Sequence, residues 1–183
     1  MIFCLMKHNN QYLCFRNLCV TDHKLVGKAF PDDKQKITSM EIIRATKTAE
    51  QAGAYYVRIQ AMARKHQIPL NVEFDEHDTP ETKYIVVVDD YLPVATCRLY
   101  AIDKERVMLG RIVVLPEYRH QGLGTVVVGE AEAWAKELGY RTAVVESRDN
   151  KTHFYEKLGY VADFSQKIVG ETFICYRMEK TLI

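Results

Sequence analysis

The chain contains 183 residues, of which 48% are hydrophobic and 27% are charged, and its formal net charge at pH 7 is +1. This length predicts one globular domain that buries enough surface to fold without disulfides or a metal. A net charge this close to zero does not produce the strong positive field that favours binding to nucleic acids or membranes. No apolar run reaches the roughly 18 residues that a membrane-spanning helix needs.

The cysteines form an odd set of five, and they indicate a reducing environment. The start of the chain has only a very short apolar patch without basic residues ahead of it, whereas a cleavable signal peptide needs a longer one. We therefore expect a cytoplasmic protein with reduced thiols. Two of the cysteines fall within predicted strands and are expected to be buried structural thiols. The five are Cys4, Cys14, Cys19, Cys97 and Cys175.

Residues 1–39 differ from the rest of the chain. They hold three of the five cysteines and show no sustained helical or strand period. The stretch from Pro31 to Lys36 predicts a linker, because proline and clustered charges favour a turn or coil. A regular pattern of elements begins at Met40. We therefore divide the chain into an N-terminal extension, residues 1–39, and a domain, residues 40–183; whether the extension is an upstream addition to the reading frame or a structural arm stays open.

The extension also contains a candidate metal site. Zinc ligands favour closely spaced cysteine pairs, and here only Cys14 and Cys19, with four residues between them, approach that spacing. We favour unliganded thiols on a loosely attached arm and predict no metal. The alternative ligands would be Cys4, His8, Cys14, Cys19 and His23.

From Met40 onward, hydrophobic periodicity predicts the element order β-α-β-β-β-α-β-α-β-β. The first strand spans residues 41–46, and Thr48 with Gln51 forms a capping-box pattern at the start of the first helix. That helix is predicted to end near His66, shortly before a proline. Its predicted buried face consists of Ala52, Tyr55, Tyr56, Ile59, Met62 and Ala63.

Three β-branched runs follow the first helix and are separated by acidic turns, so they predict three consecutive antiparallel strands. The helix after them would bury one face and end before Gly139, a natural residue for a helix C-terminus. That face consists of Val127, Ala131, Trp134 and Leu138. The predicted elements are strands 84–88, 92–102 and 106–115, helix 124–138, strand 142–145, helix 150–158, and strands 160–164 and 172–178.

The loop between the third of these strands and the next helix carries the clearest chemical signal. It contains Arg119, Gly122 and Gly124. A helix N-terminus presents unpaired N–H groups and partial positive charge, and glycines let the backbone approach a pyrophosphate. The loop therefore predicts an anion-binding site, with an ordinary tight turn as the alternative. Neither the dinucleotide Gly-x-Gly-x-x-Gly fingerprint nor a P-loop is present.

Two motifs carry a resemblance to a known family. Arg119-His-Gln-Gly-Leu-Gly124 resembles the Arg/Gln-x-x-Gly-x-Gly/Ala signature of the GNAT superfamily of acyl-CoA N-acyltransferases, and Phe154-Tyr-Glu-Lys-Leu-Gly-Tyr160 is similar to its Phe-Tyr-x-x-x-Gly-Phe/Tyr element. More weakly, residues 74–78 and Gly110-Arg111 resemble the ElaA-like bacterial subgroup. The resemblance implies a mixed α/β fold: a central, mostly antiparallel twisted sheet with one splayed parallel strand pair and helices on both faces.

The resemblance also implies an N-acetyltransferase that binds acetyl-CoA, after which a primary amine attacks the thioester directly in a ternary complex. In the family, the loop N–H groups hold the pyrophosphate, and the pantetheine arm pairs with the preceding strand. A main-chain N–H near Val114 then polarises the thioester carbonyl. The implied cofactor-binding residues are Val113, Val114, Leu115, Arg119, His120, Gln121, Gly122, Leu123, Gly124, Thr125 and Asn150.

Tyr155 and Glu146 are the candidate catalytic residues. In the family, the tyrosine at the position of Tyr155 donates a proton to the departing CoA thiolate; a thiol pKa near 8.5 and a phenol pKa near 10 make this transfer nearly balanced. The alternative is that Tyr155 has only a packing role.

The identity of the general base stays open, with Glu146 as the first candidate and Glu73 or His77 as alternatives. Asn150 either caps its helix or contacts pantetheine, although the residues after it depart from the family pattern.

The acceptor would be a small-molecule or peptide amine, with no nucleic-acid or membrane partner, and the oligomeric state stays open, a homodimer included. Two other functions also stay open: a non-catalytic acyl-CoA-binding or regulatory module, and a protein lysine or N-terminal acetyltransferase. Retention of Tyr155 favours an enzyme over the first. An acidic cleft wall would favour a basic peptide or a polyamine as the acceptor.

Overall fold

The computed structural model of the protein describes residues 7–8, 11–12, 40–170 and 173–182. The chain divides into two compact units, Met1–Phe30 and Pro31–Ile183. In the first unit, strands β1 (Lys7–His8) and β2 (Gln11–Tyr12) pair antiparallel. The predicted linker and the side chains of the five candidate metal ligands lie outside the described residues, so the division of the chain after residue 39 stays a prediction.

The second unit is built on a seven-stranded sheet. Its strands are β3 (Glu41–Ala45), β4 (Lys83–Asp89), β5 (Leu92–Ala101), β6 (Arg106–Val114), β7 (Thr142–Arg148), β8 (Val161–Val169) and β9 (Ile174–Thr181). Their order across the sheet is β3-β4-β5-β6-β7-β9-β8. Neighbouring strands are antiparallel except for β6 and β7, which are parallel. The predicted mixed α/β architecture is therefore confirmed.

The helices of this unit lie on both faces of the sheet. They are α1 (Thr48–Arg58), which continues as a π-helical turn (Ile59–Ala63) and Arg64–His66, then α2 (Leu70–Glu73), α3 (Leu123–Glu137) and α4 (Thr152–Lys157). In β3, Ile43 packs with Ala54 of α1, whereas its neighbour Arg44 donates to Glu130 of α3. Because successive strand side chains point to opposite faces, α1 and α3 cover opposite faces. No helix in the described part of the chain has both the length and the apolar character that crossing a membrane requires.

The buried face of the first helix differs from the predicted face. Ala63 is buried as predicted, but Ala52 and Tyr56 are exposed. The other buried residues of this helix and its extension are Gln51, Ala54, Val57, Arg58 and Ala61. The side-chain amide of Gln51 donates to the carbonyl of Thr82 at 2.7 Å, and Arg58 is paired with an acidic residue inside the fold. Hydrogen-bonded polar side chains therefore occupy positions that a hydrophobicity pattern assigns to solvent.

Two details at helix ends also correct the predictions. Helix α1 begins one residue early, with Lys47 as the N-cap residue, and the Glu50 carboxylate accepts the Lys47 N–H at 3.2 Å. The predicted Thr48–Gln51 capping box is therefore wrong. In α3, Val127, Ala131 and Trp134 are buried as predicted, but Leu138 is 45% exposed. The helix ends at Glu137, and Leu138 lies in the turn that leads to Gly139.

The two thiols in the sheet differ in burial. Cys97 of β5 is completely buried, as predicted, whereas Cys175 of β9 is only partly buried. Burial raises the pKa of both thiols. A thiol with a raised pKa is a poor nucleophile at neutral pH because the thiolate is scarce.

The parallel strands β6 and β7 pair only at their beginnings. Their partners are Arg106 with Thr142, Val107 with Ala143 and Met108 with Val144. Against β5, the register shifts so that Arg111 and Ile112 stand opposite Cys97 alone, which is a β-bulge. Arg111 has a φ of 49°, a conformation that residues other than glycine rarely adopt. A bulge bends its strand, and the predicted splayed strand pair is confirmed.

Candidate active site

The gap between β6 and β7 exposes backbone groups of β6. The N–H of Leu115 donates to the carbonyl of Val94 in β5 at 2.9 Å. Because backbone groups of successive residues in a strand point to opposite sides, the N–H and the carbonyl of Val114 face the gap. The side chain of Arg119 donates to that carbonyl through Nε at 3.1 Å. The N–H of Val114 is therefore placed to bind a group that enters the gap.

The loop after β6 leads directly into α3. It contains a short 3₁₀ turn, Pro116–Tyr118, and two residues with positive φ, His120 at 64° and the N-cap residue Gly122 at 82°. The first hydrogen bond between this loop and the helix is donated by the N–H of Thr125 to the carbonyl of Gly122, at 2.9 Å. The N–H groups of residues 120–124 have no acceptor among the described residues. They form a set of free donors where the helix dipole favours negative charge.

The other predicted cofactor-binding residues of this segment differ in burial and in their hydrogen-bond partners. Gln121 binds the loop itself, because its amide donates to the carbonyl of Glu117 at 3.3 Å. Val113, Leu115 and Leu123 are buried and hold the loop to the core, whereas His120 and Thr125 are exposed.

Gly124 connects the loop to the second motif. A Cβ atom at Gly124 would lie 3.3 Å from Cζ of Phe154, so the absence of a side chain lets that ring pack against the start of α3. The Phe154 ring in turn meets the Tyr155 ring edge to face, with centroids 4.9 Å apart. The two sequence motifs are thus brought together in space.

Tyr155 lies on α4 and is almost completely buried, with 9% exposure. Its ring also contacts Tyr160, with centroids 5.8 Å apart. Burial, with a smaller contribution from Cys97, raises the pKa of the Tyr155 hydroxyl, and the positive charge of Arg148 opposes this shift. Tyr155 is therefore held in its protonated form, the state in which it can donate a proton.

Glu146 is placed differently from Tyr155. It lies on β7, two residues beyond Val144, the last residue of β7 that pairs with β6. Its carboxylate accepts a hydrogen bond from Nη2 of Arg177 at 3.1 Å, and the side chain is 39% exposed. Glu146 is thus accessible to solvent beside the gap, but its carboxylate is paired with the guanidinium of Arg177.

The alternative bases are engaged elsewhere. Glu73 is 3% exposed and forms an ion pair with Nε of Arg58 at 2.9 Å. His77 stacks on Tyr100, with ring centroids 3.9 Å apart and an interplanar angle of 9°. Glu73 is therefore already paired and enclosed, whereas the His77 ring is 42% exposed, and a role for either side chain as the general base stays a prediction.

Asn150 occupies an exposed turn, Asp149–Lys151, and its N–H donates to the carboxylate of Asp149 at 2.7 Å. Helix α4 begins after Lys151 without a side-chain cap. The helix-capping alternative for Asn150 is therefore wrong, and its contact with pantetheine stays a prediction.

Sequence reasoning missed a buried network of arginines and carboxylates on the α1 face. Arg98 binds Asp75 at 2.7 Å and Asp78 at 2.8 Å, and Arg111 at the β-bulge binds Asp75 at 3.0 Å. Burial opposes the charge of Asp75, but hydrogen bonding and charge from Arg98 lower the pKa of Asp75 overall. The available signal was the acidic run at residues 74–78 together with Arg111, whose partners only the tertiary structure reveals.

The described residues hold no group of three or more His, Cys, Asp or Glu side chains with an arrangement suited to a metal ion.

Comparison with known proteins extends this description. A sequence model described as the acetyltransferase (GNAT) family matches residues 43–160, more than half of the chain. A Bacillus subtilis (strain 168) protein provisionally named as an acetyltransferase is 31% identical over 123 residues, which cover 66% of this chain and 83% of the relative.

Solved structures show the same relationship. A crystal structure provisionally named as an N-acetyltransferase from Lactobacillus plantarum aligns with a TM-score of 0.75 and 28% identity, over 79% of this chain and 99% of its own. Escherichia coli ElaA aligns with a TM-score of 0.65 over 77% of this chain and 98% of its own, but at 14% identity it shows the fold alone, and the subgroup stays a prediction. Because the matched residues run from β3 to the turn after α4, both motifs fall inside the match, and the chain belongs to the GNAT family of acetyltransferases.

Proposed function

We propose that this protein transfers an acetyl group from acetyl-CoA to a primary amine in a ternary complex. The observation that carries this proposal is the set of free N–H groups at residues 120–124, next to the gap between β6 and β7. Donors of this kind suit a pyrophosphate, and a gap with exposed strand backbone suits an extended pantetheine arm.

Each part of the cofactor then has a partner in the chain. The pyrophosphate binds the free N–H groups from His120 to Gly124, with the guanidinium of Arg119 beside them. The pantetheine arm lies along residues 113–115, where β6 ends, and approaches Asn150 in the turn that follows β7. The N–H of Val114 donates to the thioester carbonyl and stabilises the negative charge that forms on its oxygen.

The reaction is a direct displacement at the thioester. The amine nitrogen attacks the carbonyl carbon, and the C–S bond breaks as the tetrahedral intermediate collapses. Tyr155 gives its hydroxyl proton to the departing thiolate, and Glu146 takes the proton that the amine loses, through a water molecule. Donation by a buried phenol and acceptance by a solvent-accessible carboxylate keep the two proton transfers on separate side chains.

The proposal is tested by calorimetry with acetyl-CoA, using Gly122→Glu as the binding variant. Its side chain would place bulk and negative charge among the free N–H groups, at a residue with a φ of 82°, so binding should be lost. Gly129→Glu is the matched control, because Gly129 is exposed on the same helix and a Cβ there meets no atom within 4 Å. Wild-type affinity in Gly122→Glu would contradict the assignment of the loop.

Turnover is tested with a panel of amines that includes small molecules and peptides, with release of free CoA as the readout. Acetyl-CoA binding with turnover of at least one amine is expected. Binding without CoA release from any amine would instead support the non-catalytic module, and turnover confined to peptides would support a protein acetyltransferase.

A further inference from the structure

Arg148, the last residue of β7, differs from the other partly buried arginines of the sheet. Arg98, Arg111 and Arg177 each have a carboxylate partner. Among the described residues, no carboxylate lies within ion-pair distance of Arg148. Its Nη2 donates instead to the sulfur of Met62 at 3.2 Å, and a thioether is a weak acceptor. Arg148 is therefore a cation with no directly paired carboxylate among the described residues, and the charge of Glu73 acts on its pKa only from a longer distance.

The surroundings of Arg148 are aromatic and basic. Its guanidinium lies over the ring of Phe173, 3.5 Å from the centroid, and His66 meets the same ring edge to face at 5.5 Å. Burial lowers the pKa of His66, and the nearby charges of Arg148, Lys65 and Arg119 lower it further. A region in which positive charges repel one another, with an aromatic wall, favours an anionic occupant.

Arg148 and the start of α3, where the cofactor phosphates would bind, lie toward opposite faces of the sheet, and Arg119 lies near enough to Arg148 for its charge to act on the pKa of Arg148. Met62 and His66 belong to the extension of α1, so the guanidinium lies on the α1 face of the sheet. The loop after β6 leads into α3, on the opposite face. Arg148 also lies four residues beyond Val144, where β7 has separated from β6. Arg148 also lies near enough to Tyr155 for its positive charge to act on the pKa of the Tyr155 hydroxyl, so a molecule bound to Arg148 would lie near the proposed proton donor.

We propose that Arg148 binds a carboxylate on the acceptor, so that the acceptor is an amine that also carries an acid group, such as an amino acid. This inference rests on the proposed acetyl transfer. The planar guanidinium of Arg148, which lies over the Phe173 ring, has paired N–H donors that suit two parallel hydrogen bonds to a carboxylate. An anchored carboxylate would fix the direction from which the amine reaches the thioester. A polyamine would be repelled by the same cluster.

The test compares matched acceptors that differ only in the acid group. Glycine, β-alanine, leucine and phenylalanine are each assayed against their carboxamides, with spermidine and a C-terminally amidated lysine-rich peptide as cationic amines and CoA release as the readout. For the wild-type protein we expect kcat/KM for the favoured carboxylate to exceed that of its carboxamide by roughly 10- to 100-fold, the range of a charge-assisted hydrogen bond.

Arg148→Gln should remove this preference while leaving KM for acetyl-CoA unchanged. Comparing the same acceptor pair in both proteins cancels the intrinsic reactivity of each amine. Arg148→Lys should recover part of the preference, since it keeps the charge but loses the planar pair of donors. Arg141→Gln is the matched control at the other end of the same strand, where the arginine is 79% exposed, and it should change nothing.

The remaining outcomes overturn the inference in distinguishable ways. Turnover of spermidine or the lysine-rich peptide in preference to every carboxylate, or an unchanged preference in Arg148→Gln, would leave acetyl transfer standing but remove the role of Arg148. A raised KM for acetyl-CoA with all acceptors in Arg148→Gln would assign the anion to the cofactor. No CoA release with any amine would remove the proposed function and this inference together.

Discussion

Three arginines near the gap between β6 and β7 have different roles because their partners differ. Arg111 is held by Asp75 at 3.0 Å and stabilises the β-bulge. Arg119 donates to the backbone of Val114 and holds the end of β6. Arg148 contacts the ring of Phe173 and the sulfur of Met62 and has no ion-pair partner in the described part of the chain. From residue type alone, the three arginines would be equal candidates for binding an anionic ligand. An arginine whose charge is already paired with a carboxylate, however, gains little from binding a second anion.

At the same scale, Tyr155→Phe tests the proposed proton donor. Phenylalanine keeps the ring contacts with Phe154 and Tyr160 and removes only the hydroxyl. If Tyr155 protonates the leaving thiolate, kcat should fall by about 100-fold, while the dissociation constant for acetyl-CoA should change little. Steady-state kinetics and calorimetry on the same preparation would measure the two quantities.

Tyr160→Phe is the control, because it removes a hydroxyl from the same aromatic cluster at a residue with no assigned role in proton transfer. The pH dependence provides a second readout. Since burial raises the pKa of Tyr155 above its usual value near 10, kcat should not fall through loss of this proton below pH 10. Unchanged kcat in Tyr155→Phe would leave Tyr155 with a packing role only.

At the scale of elements, the buried ion pairs join segments that the sheet alone would not hold together. Asp78 accepts a hydrogen bond from Arg58 of α1 at 2.5 Å and lies 2.8 Å from Arg98 of β5. It also accepts a hydrogen bond from the hydroxyl of Tyr84 in β4. Through Arg98 and Asp75, the network reaches Arg111 at the bulge. The loop after α2 thus links the first helix to the point at which β6 turns away from β7.

Asp78→Asn should therefore reduce the free energy of unfolding at pH 7 by on the order of 3 kcal/mol, because two buried arginines lose one carboxylate partner. Urea unfolding would measure this loss. Asp90→Asn is the control: Asp90 is exposed in the turn between β4 and β5 with a φ of 55°, which asparagine tolerates well, so its stability should stay within about 0.5 kcal/mol.

The effect of the Asp78 substitution should also depend on pH. Burial opposes the charge of Asp78, but hydrogen bonds from Arg58 and Tyr84 outweigh it and lower the pKa of Asp78 in the folded state. The carboxylate therefore contributes stability above the unfolded pKa near 3.9 and loses that contribution as the pH falls further. The difference between wild type and Asp78→Asn should shrink below about pH 4; a constant difference would contradict the ion-pair explanation.

At the scale of the whole molecule, the order of elements could be predicted from residue 40 onward because strand and helix periods are distinct. The splayed strand pair followed from the family resemblance, but its cause lies in the register at Cys97 and in the left-handed backbone of Arg111. The α1 face was mispredicted because Gln51 and Arg58 are polar yet buried. Burial of a polar side chain depends on partners far away in sequence, and periodicity does not contain them.

The candidate site also contains features that could be predicted from the sequence and features that could not. The loop from Arg119 to Gly124 could be predicted because its function resides in the backbone of a short continuous segment. The neighbours of Glu146 and the isolation of Arg148 could not, since Arg177 and Phe173 approach from β9 and from the residue just before it. Contacts between separate strands depend on the strand register. The register is set by the complete fold and cannot be read from a local stretch of sequence.

The division of the chain after residue 39 gives the last prediction, in which the protein is expressed from Met40 to Ile183. All seven strands of the large sheet and helices α1 to α4 lie within this range, and Met40 itself belongs to the buried core. We expect the shortened protein to bind acetyl-CoA with unchanged affinity by calorimetry. Its melting temperature should stay within about 4 °C of the full chain, which corresponds to roughly 1 kcal/mol for a domain of this size. Loss of cooperative unfolding or of binding would instead make residues 1–39 a structural part of the acetyltransferase.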